Sequence, residues 1–156
     1  MDKKTFIQTI TTILAEHGFK KVPRTNHHWK KAGTDFDKVI YIYKSYYSNT
    51  YLIIYGFHFK GLSYDKKIFD IEAPIHKGST GKDIESIFDL DTEISDEERE
   101  QGLKDILEMV MVQRFEGIET VGDVYEELIS QKYTFRVLNS AREKLQQSGY
   151  DESLIK

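Results

Sequence analysis

The chain has 156 residues, of which 39% are hydrophobic and 31% charged, and its formal net charge is −4. This composition is typical of a folded domain and excludes the low hydrophobicity and high charge of disordered proteins. The negative charge disfavours a general nucleic-acid binder, which needs a basic surface. The absence of cysteine excludes disulfides, thiolate metal ligands and thiol nucleophiles.

The chain is of a length that one hydrophobic core can serve, so we expect a single domain over residues 1–156. It has no run of about 18 apolar residues, and polar side chains interrupt the apolar stretch near its start. We therefore expect neither a membrane span nor an export signal. The lack of cysteine suits a reducing compartment, which we take to be the cytoplasm.

The first segment has the spacing of an amphipathic helix. Its apolar positions recur every three or four residues and form one stripe: Phe6, Ile7, Ile10, Ile13 and Leu14. Asp2 is the predicted N-cap, and Gly18 is expected to end the helix.

A period-two pattern follows the first helix and predicts strands near 26–31, 38–45 and 51–60, with a turn at 32–35. Residues 69–72 are a candidate fourth strand. Pro74, Gly78 and Gly81 indicate loop structure in much of the remaining stretch from 61 to 87.

Helical signals dominate the last third of the chain. Ser95 and Glu98 have the spacing of a capping box, and the stripe that begins at Leu103 continues the helix. Two further helices are predicted, at 121–131 with Thr120 as the cap and at 135–147 with Thr134 as the cap. The chain is therefore predicted to be α+β, with an N-terminal helix, an antiparallel meander of about four strands, and three C-terminal helices packed on the sheet.

Three stretches carry a resemblance to a known family: LAEHGFKKVPRTNHHWKK, VIYIYKSYYSNTYLIIYGFHFKG and the acidic FDLDTEISDEE before a helix. Together they resemble the bacterial DUF4304 family over roughly residues 5 to 131. Lys44 and Ser45 match the end of a Gln-Lys-Ser pattern of that family, but Tyr43 stands where the glutamine is usual. The resemblance implies the fold and, since the function of that family is unknown, it implies no catalytic residues.

Two segments approach the pattern of a ligand-binding loop, and each lacks a deciding residue. Residues 76–83 differ from a P-loop because His76 replaces its first glycine and Asp83 replaces its magnesium-binding hydroxyl. Acidic or hydroxyl side chains occupy six ligand positions of an EF-hand loop: Asp89, Asp91, Glu93, Ser95, Glu97 and Glu100. Ile94 replaces the glycine at which that loop turns, so a capped helix start explains the acidic residues better. No metal or cofactor is predicted.

The histidines offer a weaker candidate site. His27 and His28 are adjacent and point to opposite faces of a strand, and His58 lies on another strand that could approach one of them. With Tyr55 they could line a cleft between the sheet and the C-terminal helices. Because no nucleophile with a neighbouring base is visible, we expect no catalytic residues.

The hairpin at 41–59 contains six of the ten tyrosines. Pairing Ser45 with Tyr51 would sort its two faces by side-chain type, with an aliphatic face of Ile40, Ile42, Leu52 and Ile54. The other face would be aromatic: Tyr41, Tyr43, Tyr51, Tyr55, Phe57 and Phe59. It could be ordinary core, an open recognition surface, or a partly open concavity with Trp29.

The leading functional hypothesis is a non-enzymatic module that binds another protein, in the manner of an immunity protein that neutralises a toxin. Its candidate binding residues are Trp29, Tyr41, Tyr43, Tyr55 and Phe57. The alternative is an enzyme or small-ligand binder that uses the histidine cleft. A weaker alternative is single-stranded RNA bound by stacked aromatics, for which the basic flanks would be Lys30, Lys31, Lys38 and Lys44.

Overall fold

The structure, a computed structural model, describes residues 1–23, 27–61, 68–75 and 83–156. The N-terminal part comprises α1 (Lys3–Glu16), β1 (Lys20–Lys21), β2 (His27–Lys31), β3 (Phe36–Lys44), β4 (Tyr51–Phe59) and β5 (Ile71–Pro74). The C-terminal part comprises α2 (Ile84–Phe88), α3 (Asp96–Val110), a π-helical turn (Met111–Phe115), α4 (Val121–Ser130), β6 (Arg136–Val137), α5 (Asn139–Gln147) and a 3₁₀ turn (Glu152–Leu154). Among these described residues, no helix is long and apolar enough to cross a membrane.

The strands of the described residues form one antiparallel sheet in the order β1-β2-β3-β4-β5-β6. The predicted α+β class is confirmed. The predicted number of about four strands is too low, because β1 and β6 are two-residue edge strands, too short to show a period of two. The helix arrangement also differs, since the short α2 lies in the stretch for which no helix was predicted.

The starts of α1, α3 and α4 and the end of α1 follow the local chemistry that the sequence indicated. The Asp2 carboxylate accepts a hydrogen bond from the Thr5 amide at 2.8 Å, and Gly18 adopts a left-handed φ of 85° after α1. Ser95 Oγ accepts from the Glu98 amide at 3.0 Å at the start of α3, which is one half of the predicted capping box. Thr120 caps α4, as predicted.

The predicted start of the last helix is wrong. Residues 136 and 137 pair as β6 with Glu72 and Ile71, and α5 begins only at Asn139, after Leu138. This edge pairing and the ion pair between Arg136 and Glu72, at 3.2 Å, hold the segment extended. The pairing of β6 with β5 therefore outweighs the helix propensity of this segment and the candidate cap at Thr134.

The predicted register of the β3–β4 hairpin is wrong by one residue. Tyr51 lies opposite Lys44 rather than Ser45, and Tyr43 lies opposite Leu52. Ser45 instead closes the loop, where its amide donates to the Thr50 carbonyl at 2.8 Å. Both strands carry apolar side chains at odd and at even positions. The division of the side chains into aromatic and aliphatic faces therefore does not determine which face the helices cover.

The true register gives the sheet an inner face, covered by helices, and an outer face. The inner face mixes aromatic and aliphatic side chains: Trp29, Ile40, Ile42, Tyr51, Ile53, Tyr55, Phe57 and Phe59. Phe6 of α1 packs on Tyr51 with ring centroids 5.1 Å apart, and Phe115 packs on Tyr55 at 5.6 Å. Val39, Tyr41, Tyr43, Leu52 and Ile54 belong to the outer face.

Candidate functional site

The five predicted binding residues do not lie on one surface. Trp29, Tyr55 and Phe57 are buried on the inner face, where the Trp29 indole nitrogen donates to Thr11 Oγ1 at 3.1 Å. A partner could reach these three side chains only if the helices separated from the sheet. Tyr41 and Tyr43 lie on the outer face.

An apolar surface is exposed on the outer face, and we call it the outer patch: Tyr41, Tyr43, Leu52 and Ile54. Tyr43 and Leu52 are opposite each other in the hairpin and are 38% and 45% exposed. The Tyr41 and Tyr43 rings stack with centroids 5.7 Å apart and 23° between their planes. Partial burial, with Tyr43 and Glu72 nearby, raises the pKa of the Tyr41 hydroxyl, so this hydroxyl stays a neutral hydrogen-bond donor.

The hairpin loop carries two more tyrosines beyond the outer patch. Tyr46 and Tyr47 are 93% and 94% exposed, and their ring centroids are 5.2 Å apart in an edge-to-face arrangement. The Tyr47 amide donates to Ser45 Oγ at 3.3 Å, which shapes the loop. The predictions omitted both residues because strand periodicity does not apply in a loop; two adjacent tyrosines in a turn were the available signal.

A polar hollow of about 450 Å³ lies beside Leu52 and the hairpin loop. Hydroxyl and carboxylate side chains make up most of its lining: Ser45, Ser48, Thr50, Glu85, Ser86, Asp89 and Thr92. The loop is tied to this region by a bridge between Thr50 and Asp89 and by the Leu90 amide, which donates to the Asn49 carbonyl at 3.2 Å. With two carboxylates and no basic residue in its lining, the hollow suits a cationic group.

The acidic segment before α3 has local structural roles. Asp89 Oδ1 accepts from the Asp91 amide at 3.0 Å, and Asp91 Oδ1 accepts from the Asn49 side-chain amide at 3.2 Å. Across the described ranges, no group of three His, Asp or Glu side chains is placed to hold a metal ion. The P-loop-like segment at 76–83 lies, except for Asp83, outside the described residues.

The predicted histidine cleft is not assembled. His28 and His58 are buried on the outer face, where His58 Nε2 is 4.0 Å from Asp70 Oδ2, whereas Tyr55 is on the inner face. His27 is half-buried, and this burial, with Lys3 and Lys21 nearby, lowers the pKa of its imidazole. The sheet itself therefore separates Tyr55 from His28 and His58.

No family model, no curated protein and no solved structure matches this chain. The resemblance to DUF4304 therefore stays a prediction.

Proposed function

We propose that the chain acts by binding another protein through the outer patch and the tyrosine pair of the hairpin loop. The observation that carries this proposal is the continuity of apolar and tyrosine side chains, from Tyr41 through Tyr43 and Leu52 to the almost fully exposed Tyr46 and Tyr47. Tyrosine is enriched in protein interfaces because it supplies a large contact area and a polar tip at low entropic cost.

The surface also has the rigid support that an interface requires. Tyr41, Tyr43, Leu52 and Ile54 stand on two nine-residue strands paired along their whole length, and the opposite side of these strands is the hydrophobic core. A partner would therefore meet side chains that are largely ordered before contact, which reduces the entropic cost of association.

The polar hollow beside Leu52 defines the chemistry of the partner. We infer a protein that presents apolar side chains to the outer patch and a lysine or arginine to the hollow that Glu85 and Asp89 line. The net charge of −4 would favour the approach of a basic partner. A basic toxin, neutralised by a bound immunity-type protein, has this chemistry and is the form of the proposal that we favour.

Binding of single-stranded RNA is a weaker reading of the same tyrosines. It needs cations beside the stacked rings, but Lys38 is on the inner face and is paired with Glu119 at 2.8 Å. Lys31 and Lys44 are also on the inner-face side of their strands, so only Lys30 of the four basic flanks shares the outer face with the tyrosines.

The proposal is tested by photocrosslinking in the native cells. The photoreactive residue p-benzoylphenylalanine replaces Tyr47 in one variant and Gln146, exposed at the end of α5, in a matched control. We expect one discrete crosslinked protein from position 47, resistant to ribonuclease, and none from position 146. The crosslinked protein is then identified by mass spectrometry, purified and titrated with the chain, and Leu52→Asp should abolish its binding.

Four outcomes would contradict the proposal. Equal crosslinking from both positions would mean non-specific contact, and loss of the product with ribonuclease would favour RNA. A product that contains only a second copy of this chain would identify self-association. Unchanged affinity of the purified partner for Leu52→Asp would place the contact elsewhere.

A further inference from the structure

Within the described residues, three side chains with a cationic head group are buried: Lys38, Arg99 and Arg114. A buried cation is costly unless protein acceptors replace the water that it loses. Lys38 Nζ donates to the Glu119 carboxylate at 2.8 Å and to the Phe115 carbonyl at 3.1 Å. The charge of Lys38 is therefore compensated within the protein.

Arg99 is compensated in a different way. Its two Nη atoms donate to four carbonyl oxygens at 2.6 to 3.0 Å, those of Ser86, Ile87, Asp89 and Thr92. These carbonyls belong to α2 and the turn that follows it, where the helix leaves acceptors without intrahelical partners. Arg99 is thus a structural residue that fixes α2 against α3.

Arg114 has neither kind of compensation. It is 3% exposed, and its hydrogen bond, from Nη1 to the Tyr55 hydroxyl, is 3.5 Å long, at the limit for such a bond. In the described structure no carboxylate lies within ion-pair distance of it, and its Nε, like that of Arg99, has no acceptor. Burial raises the pKa of Tyr55, so this phenol is neutral and does not balance the charge.

Aromatic rings are the main contacts of the Arg114 guanidinium. Its Cζ lies 3.4 Å from the centroid of the Tyr133 ring and 5.4 Å from that of Tyr55. Cation–π contact offsets only part of the cost of removing a guanidinium from water. In contrast to Lys38, Arg114 is therefore a buried cation with no carboxylate at ion-pair distance among the described residues, although Glu127 acts at longer range on the adjoining Tyr55 hydroxyl.

The backbone at Arg114 is also unusual. Met111–Phe115 forms a π-helical turn, which the Glu116 amide closes by donating to the Met111 carbonyl at 2.9 Å. Arg114 and Phe115, the last two residues of this turn, are both buried. Single π-helical turns are frequent at functional sites.

A hollow of about 260 Å³ lies close to Arg114, which does not itself line it. Tyr133 lines this hollow and also contacts the guanidinium, so its ring adjoins both. Lys156 lines the hollow as well, and Lys132 Nζ is 5.4 Å from the centroid of the Tyr133 ring. Gln131, which directly precedes Lys132 and Tyr133, has a left-handed φ of 56°. It is the one non-glycine residue in the described ranges with a positive φ.

We propose that Arg114, with Tyr55 and Tyr133, forms a binding site for a small molecule that carries an oxyanion, either a carboxylate or a phosphate, and that enters through this hollow. The guanidinium donates two parallel hydrogen bonds to the oxyanion, and Lys132 and Lys156 attract it. The Tyr133 ring moves aside to admit the ligand. This site is on the inner side of the sheet and is separate from the outer patch.

The test follows the Arg114 side chain by NMR in the intact protein. The Nε–H resonance of Arg114, assigned by its loss in Arg114→Lys, is recorded during titration with inorganic phosphate, with acetate, and with chloride at equal ionic strength. We expect phosphate or acetate to shift this resonance in a saturable manner while chloride does not. The anion that binds more tightly identifies the group that the site takes.

Arg114→Met and Lys104→Gln are the matched variants, since Lys104 is an exposed cation on α3, away from the hollow. Arg114→Met should lose the saturable stabilisation against heat that the binding anion gives, and Lys104→Gln should keep it. If Arg114→Met does not fold, Arg114→Lys is used, with roughly tenfold weaker binding expected because lysine lacks the planar fork. The proposal would be overturned if neither phosphate nor acetate shifted the Arg114 resonance, or if chloride shifted it equally. Equal stabilisation of the wild type and the Arg114 variant by the anion would also overturn it.

Discussion

At the scale of single residues, the hairpin places chemically identical side chains in opposite environments. Tyr55 is 1% exposed and packs between Phe115 and Phe135, whereas Tyr43, on the neighbouring strand, points to the outer face. The difference arises from strand alternation, because successive side chains point to opposite faces of the sheet. A tyrosine-rich segment therefore contributes to the core and to the outer surface at the same time.

This contrast predicts different stability losses for two identical substitutions. Tyr55→Ala should lower the free energy of unfolding by about 3 to 5 kcal/mol, because it leaves a cavity in the core. Tyr43→Ala should lower it by about 1 kcal/mol or less, since an exposed ring leaves no cavity. Chemical denaturation of the purified variants measures both values, and equal losses would show that the outer face is packed like the inner one.

The half-buried His27 predicts a specific dependence of stability on pH. The pKa of His27 in the folded protein is lowered from the usual 6.5. At a pH between the folded and the unfolded pKa, the unfolded chain therefore binds the proton more readily than the folded protein does. The contribution of His27 is therefore constant above pH 6.5 and falls as the pH drops through the folded pKa. Comparison with His27→Gln isolates the contribution of His27. The free energy of unfolding of the wild type, relative to that of this variant, should decrease on acidification. An increase would contradict a lowered pKa of His27.

At the scale of helices and strands, caps and apolar periodicity carried most of the predictable information. The starts of α1, α3 and α4 follow from Asp2, Ser95 and Thr120, whose side chains accept from the backbone amide of the third residue of each helix. Strands β2, β3 and β4 follow from the period of two. These signals are local, so a single sequence contains them.

The features that the sequence did not predict depend on contacts between distant segments. Strand β6 exists because Arg136 and Val137 reach Glu72 and Ile71, and the hairpin register depends on which face the helices cover. The same limit applies to the candidate site: Tyr41 was predicted and is half-exposed, whereas Trp29 was predicted and is core. Arg114 belongs to no motif, and only the structure reveals that it is buried with no ion-pair partner among the described residues.

The start of α3 offers a test of the local signals. Ser95→Ala should lower the free energy of unfolding by about 1 kcal/mol, because the Glu98 amide loses its acceptor. Ser95→Asp is the matched control and should retain the stability, since its carboxylate can accept the same hydrogen bond. An unchanged denaturation midpoint for Ser95→Ala would mean that the cap contributes nothing to this helix.

At the scale of the whole molecule, the helices and the outer patch lie on opposite sides of one sheet. The inner face is fully used for folding, with Tyr51, Ile53 and Phe57 each at most 2% exposed. The outer face keeps apolar and tyrosine side chains in contact with solvent, next to a hollow lined by Glu85 and Asp89. Because Tyr43 and Leu52 lie outside the core, these two residues can change with little effect on stability.

The most direct test of the proposed function measures the affinity of the crosslinked partner, once purified, for two variants. Tyr43→Ala removes a ring of the outer patch, and Val112→Ala truncates an apolar side chain of the π-helical turn that is more exposed than Tyr43, at 62% against 38%. We predict that Tyr43→Ala weakens binding by about 2 kcal/mol, roughly thirtyfold in Kd, and that Val112→Ala leaves Kd unchanged. Equal Kd values for both variants and the wild type would contradict a binding role for the outer patch.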